Sequence, residues 1–271
     1  MNQENYSVSS QSRMPVLFVG HGSPINALEQ NRWSQGFAEL ADLVGRPKAI
    51  LVISAHWYTK GSYVTANENP ETIHDFGGFP AALYKIQYPA PGSTELAEKV
   101  AEIIESDQSA LRTDWGLDHG SWSVLRWMYP DADVPVIQLS INGEISEAEH
   151  IALANSLRKL RDQGVLIVGS GNIVHNLKDA FRQMRSETNF TPDWAKRFDD
   201  QVRDAVHRYD TDAVLGLSSS PDGRQAHPTP EHWLPLLYAY GAAESGESVS
   251  FPIEGFDWGS ISMRAITFGA G

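Results

Sequence analysis

The sequence predicts a single α/β domain: a central, mostly parallel but mixed β-sheet flanked by helices, with a metal site at the carboxyl ends of its strands. Three observations predict it. Aliphatic and β-branched runs such as Val16-Leu17-Phe18-Val19, Ile50-Leu51-Val52-Ile53 and Val165-Leu166-Ile167-Val168 read as strands buried on both faces. Stretches with apolar residues at helical spacing separate them, and no linker, repeat or shift in composition splits the chain. Finally, two of the runs stop at a histidine, in Gly20-His21-Gly22 and Ser54-Ala55-His56. A histidine there sits at the mouth of a sheet, where open α/β folds bind their ligands.

Composition narrows the function classes. The 271 residues are 41% hydrophobic and 20% charged, as in ordinary globular domains. The absence of cysteine excludes disulfides, thiolate metal sites and cysteine nucleophiles, so a transition metal must use the 9 histidines or the carboxylates. The formal net charge of −13 disfavours nucleic acid and anionic membranes as partners. No apolar run approaches the roughly 20 residues of a membrane span. Residues 1–13 are polar with no secretory signature, and read as a disordered or loosely held tail on a cytoplasmic protein; residues 14–271 form the domain.

The elements follow in order. Residues 15–19 form the first strand, and Gly20-His21-Gly22-Ser23-Pro24 a tight turn, followed by a helix over 27–44. The expected third glycine of a dinucleotide fingerprint is missing, which argues against phosphate binding. Residues 49–54 form the second strand and 62–66 an edge strand. The stretch 67–92, with His74-Asp75-Phe76-Gly77-Gly78-Phe79-Pro80 and Tyr84, is long enough for a lid or binding loop. A helix spans 93–106, and a glycine-punctuated loop with His119 enters a helix over 121–128. A strand covers 134–139. Ser146 and Glu149 fit a capping box for a helix to about 163, with His150 near its packed face. The strand over 165–168 ends in a turn, Gly169-Ser170-Gly171-Asn172, before His175. The next helix runs from 191 to 209, its apolar face formed by Trp194, Phe198, Val202 and Ala205, with His207 on the solvent side. Pro228-Thr229-Pro230-Glu231-His232 punctuates a further helix start, and strands over 249–253 and 261–268 close the chain.

His21, His56, His175 and His232 share this local grammar and together are a candidate metal site, since neutral imidazole without thiolate suits Zn(II) or Fe(II). Ser23, Ser54 and Ser170 are the rival nucleophiles, but none lies in Gly-x-Ser-x-Gly.

Seven short motifs occur in one order: Gly20-His21-Gly22-Ser23-Pro24, Ser54-Ala55-His56-Trp57, His74 to Pro80, Tyr88-Pro89-Ala90-Pro91-Gly92, Gly116-Leu117-Asp118-His119-Gly120, His175-Asn176-Leu177 and Pro228 to His232. Together they resemble the DOPA dioxygenase branch of the class III extradiol ring-cleavage dioxygenases, over the chain from Met14 onward. The resemblance implies cleavage of a catechol, such as 3,4-dihydroxyphenylalanine, with O2 in a monomer or small homo-oligomer. It implies one divalent metal, either zinc on His21, His56, His175 and His232 or Fe(II) on two histidines and a carboxylate. Glu231, beside His232, is the candidate carboxylate, otherwise a supporting residue. Only Fe(II) serves the oxygenase, because Zn(II) is d¹⁰ and has no redox chemistry. His119 and His175 are the candidate acid–base residues, with His175 either ligand or base. His74 and Phe79 are expected against the substrate. A zinc hydrolase of an amide or ester, or a closed structural zinc site, would use the same histidines.

Overall fold

Alternation along the strands decides the architecture. In the computed structural model, which describes residues 13–105, 110–186 and 190–270, β1 (Val16–Gly20) sends Val16 and Phe18 to one face of a sheet and Leu17 and Val19 to the other. The same period of two sorts β2 (Ala49–Ser54) and β4 (Val165–Gly171), so each face carries its own apolar core. One core packs α1 (Arg32–Val44) and α3 (His119–Met128); the other packs α2 (Thr94–Ile103), α4 (Glu147–Leu157), α6 (Asp193–His207) and α9 (Leu234–Ala242). The six-stranded sheet is completed by β3 (Val136–Gln138), β5 (Val249–Ile253) and β6 (Ala265–Phe268), in the order β3-β2-β4-β1-β6-β5. The first four strands are parallel, and β6 and β5 add antiparallel at one edge. Three further helices, α5 (Leu177–Arg185), α7 (Thr211–Leu217) and α8 (Pro221–Ala226), fill the connections. The mixed sheet flanked by helices is the expected fold.

Register brings the strand ends level. Gly20 pairs with Gly171 and Ser54 with Ser170, so the exits of β1, β2 and β4 lie side by side. The chain leaves the ends of β1 and β2 toward His21 and His56, as expected.

Several boundaries differ from the sequence reading. The helix expected over 27–44 is a 3₁₀ turn at Pro24–Ala27 and then α1, because Asn31 caps the helix through a reciprocal box with Ser34. α3 starts at His119, two residues early, because Asp118 accepts from Ser121 N–H at 3.2 Å. The expected edge strand reduces to Val64–Thr65, which pairs with Leu111–Arg112 outside the main sheet. Gly169-Ser170-Gly171 is not a turn: it continues β4 with partners on both sides. Its glycines admit the packing elements, since a Cβ on Gly169 would stand 2.2 Å from the Pro235 carbonyl oxygen and one on Gly171 2.3 Å from that of His232. The final stretch divides into Ile261–Ser262, paired with Phe256–Asp257, and β6. The tail expected over 1–13 lies outside the described residues except for Arg13, which pairs with Asp162 and Glu244. No described helix is long and apolar enough to cross a membrane.

Candidate metal centre and active site

The aligned strand ends open into a cavity of about 400 Å³, lined by His21, His56, His119, His175 and His232. Ring nitrogens of His21, His56 and His232 lie within 4.8 Å of one another. His21 leaves β1 directly, its backbone N–H on the Gly171 carbonyl at 3.1 Å. His56 follows the turn after β2. His232 arrives from the far end of the chain, its carbonyl held by Asn172 N–H at 3.0 Å against the side-chain-free edge of Gly171.

Hydrogen bonds fix which nitrogens are free. Ser170 Oγ spends its hydrogen on the Gly120 carbonyl at 2.6 Å, so it accepts from His21 Nδ1–H at 3.0 Å. His56 Nδ1–H donates to Asp75 Oδ2 at 3.1 Å. Both rings therefore present bare Nε2 lone pairs to one another, 3.1 Å apart. Two lone pairs at that distance repel unless a cation lies between them. A proton is disfavoured, because burial, then His56, holds the His21 ring well below its ordinary value. His232 is also buried, its Nδ1 has no hydrogen-bond partner, and burial, then His175, pushes its basicity well down. Three neutral imidazoles whose ring nitrogens share one focus fit a divalent metal ion.

Asp75, from the long loop, anchors the second layer. It accepts from His56 through Oδ2, from His119 Nδ1–H at 2.9 Å through the same oxygen, and from the His119 backbone N–H at 2.9 Å through Oδ1. Burial opposes its charge, but the bonds from His119 and His56 outweigh burial and hold the carboxyl well below the usual range. His119, buried, has its ring centroid 3.8 Å from that of His56, the two rings tilted by 48°; burial, then His56, lowers its pKa despite Asp75. Asp75 has no local signal in the sequence beyond its place beside His74 in the loop motif. Ser170, a candidate nucleophile by sequence, instead bridges His21 Nδ1 and the Gly120 carbonyl.

His175 lies parallel to His232, ring centroids 3.5 Å apart, and lines the same cavity. It is not in the convergent set of His21, His56 and His232. Burial, followed by neighbouring histidines, pushes its pKa down to about 3. Glu231 turns to Thr229, whose hydroxyl donates to it at 2.7 Å, and stays 3.9 Å from His232 Nδ1. Phe79 lines the cavity beside Phe76. His74 does not: its Nε2–H donates to the Ile86 carbonyl at 3.1 Å and its ring packs on Trp122. The structure thus does not bring His74 to the cavity wall with Phe79; its contacts pin the loop. His227 is likewise outside, donating to the Asn172 carbonyl at 3.1 Å. Asp118 braces the strand ends rather than a histidine, accepting from Ser54 Oγ at 2.6 Å and Gln138 Nε2 at 2.7 Å.

Comparison with known proteins meets this geometry. The family profile described as the catalytic LigB subunit of aromatic ring-opening dioxygenase matches residues 15–258. The chain belongs to the extradiol aromatic ring-opening dioxygenases. Among relatives in this family, the 4,5-DOPA dioxygenase extradiol of Escherichia coli K12 is 44% identical over 266 residues, covering 97% of each chain. That of Beta vulgaris is 37% identical over 274 residues, covering 93% of this chain and 96% of its own. A crystal structure of an uncharacterized protein from Escherichia coli K12 superposes with a TM-score of 0.78 at 37% identity, covering 95% of this chain and all of that one. As a ring-opening dioxygenase, the protein acts on a small aromatic molecule and O2.

Proposed function

We propose that this dioxygenase opens a catechol such as 3,4-dihydroxyphenylalanine next to its diol, with one Fe(II) held by His21, His56 and His232. The observation that supports this most directly is the pair of bare Nε2 atoms, 3.1 Å apart, with the His232 ring closing on them. When bound there, Fe(II) supplies the redox capacity that joins catechol to O2, which Zn(II) lacks. The names of the curated relatives support 3,4-dihydroxyphenylalanine as the first substrate to test.

The chain's own groups handle position and protons. Phe76 and Phe79 form an apolar wall for a flat ring and exclude water. Burial keeps His175 neutral, as a proton acceptor must be. A phenolate arriving beside it raises its basicity, so the ring gains its proton only when substrate is present. We assign it the second phenolic proton. His119, its Nδ1–H committed to Asp75, has Nε2 free to hold or return a proton; such transfers are worth about 10²–10⁴-fold.

The test is anaerobic Fe(II) loading followed by admission of O2 with 3,4-dihydroxyphenylalanine, caffeate and protocatechuate. Oxygen uptake with a yellow ring-opened product is expected for at least one of them. Absence of both across the panel, in protein that holds stoichiometric iron, overturns the proposal.

A further inference from the structure

One wall of the cavity takes no part in the chemistry above. It is the hairpin of Phe256–Asp257 and Ile261–Ser262, in which Asp257 sits opposite Ile261. Ile261 in turn bridges to His175. Each antiparallel pairing sets Cα atoms about 4.5–5.5 Å apart, so Asp257 lies within about 11 Å of His175, Cα to Cα. That is the reach of a short side chain carried by a catechol whose diol faces the histidines.

The tip of this hairpin is fixed in advance. Trp258 holds a left-handed φ of 45°, followed by Gly259 at 70°. A Cβ on Gly259 would stand 2.1 Å from the Phe190 carbonyl oxygen. Ser260 accepts from Asn176 N–H at 3.2 Å and donates its hydroxyl to the Asn176 carbonyl at 3.1 Å, which ties the turn to the start of α5. Asp257 and Trp258 both line the cavity from this anchored turn.

The charge of the cavity is one-sided. Among the described residues that line it there is no lysine or arginine, and Asp257 is the one acid. The carboxyl of Asp257 is half-buried, accepts from Trp258 N–H, and has no lysine or arginine paired with it among the described residues. Burial pushes its pKa up, and the charge of Glu29 adds in the same direction. A partly desolvated carboxylate beside an indole face lacks one complement, a ligand cation.

Resting on the ring-opening reading, we propose that Asp257 and Trp258 recognise a protonated amine on the side chain of the catechol. The site then selects catechols that carry an ammonium group over those that carry only a carboxylate. An acid tail would meet Asp257 with like charge and find no cation in the cavity. 3,4-Dihydroxyphenylalanine is accepted through its amine, not its carboxylate.

The test compares 3,4-dihydroxyphenethylamine with 3-(3,4-dihydroxyphenyl)propionate on the Fe(II)-loaded full chain. At least a tenfold higher kcat/KM for the amine is expected. Asp257→Asn should shrink that ratio at least tenfold, mainly through the KM of the amine, and Asp257→Lys should reverse it. A second measurement avoids the reaction: tyramine and 3-(4-hydroxyphenyl)propionate, which lack the diol, are titrated by tryptophan fluorescence. Tyramine should bind more tightly, and Asp257→Asn should abolish the difference. Turnover of both catechols without amine preference overturns the proposal, as does a ratio unmoved by Asp257→Asn in protein that melts like the parent. If no catechol is consumed but tyramine still binds through Asp257, the proposed catechol reaction fails and the amine site stands. If the variants do not fold, the ratio in the unaltered protein decides.

Discussion

At the scale of single residues the site is a problem of proton placement. Ser170 and Asp75 take the Nδ1 hydrogens of His21 and His56, and that alone aims both Nε2 lone pairs at one point. His21→Ala and His56→Ala should therefore each abolish metal retention after gel filtration, seen as loss of iron or zinc by elemental analysis. Asp75→Asn keeps the shape but trades a carboxylate oxygen for an amide. Losing that support should weaken metal binding about 10–100-fold in a chelator competition. His119→Ala should retain metal and lose turnover by about 10²–10⁴-fold. Metal loss in that variant would show that His119 belongs to the binding set instead.

At the scale of elements, β4 carries the most constraint. Its last residues pair with β1 and β2 on either side while the His232 segment lies across Gly171. Gly171→Ala would drive a methyl into the His232 carbonyl. Overpacking of this kind costs about 1–3 kcal/mol. The variant should show a lower denaturation midpoint and a weakened metal site together, because the same atom displaces a candidate ligand. A lower midpoint with unchanged metal affinity would separate His232 from the site. The strand–histidine pattern was legible here because it is local: a buried run, a glycine, a ring. The extension of β4 was not, because a glycine pair reads as a turn until helix α9 and the His232 segment are packed against it.

At the scale of the molecule, pH acts through histidines that fold without their protons. His150 lies buried outside the site with Nδ1 3.0 Å from the Tyr238 hydroxyl, and burial pushes its pKa down to about 4 from 6.5. His227 is pushed down to about 4 by burial. Below pH 6.5 the unfolded chain binds these protons while the folded chain refuses them until about pH 4. Stability should thus be full above pH 6.5 and fall as pH drops through that window. Urea midpoints between pH 7 and 4.5 should show the fall, and His150→Phe should make it shallower. An unchanged slope in that variant would remove His150 from the account.

The sequence by itself determined the fold class, the ends of β1 and β2 and four of the five histidines as one cluster, because period, punctuation and residue type are properties of neighbours along the chain. The motif order, read as a resemblance, determined the ring-opening family. The tertiary structure alone decided how those rings divide. It brought His21, His56 and His232 to one focus, stacked His175 against His232 beside it, and turned Glu231 toward Thr229. It also supplied Ser170, 149 positions from His21, and Asp75, 44 positions from His119. Contacts across such separations carry no local signature. They exist only because parallel register levels the strand ends and the loop and the hairpin close over them.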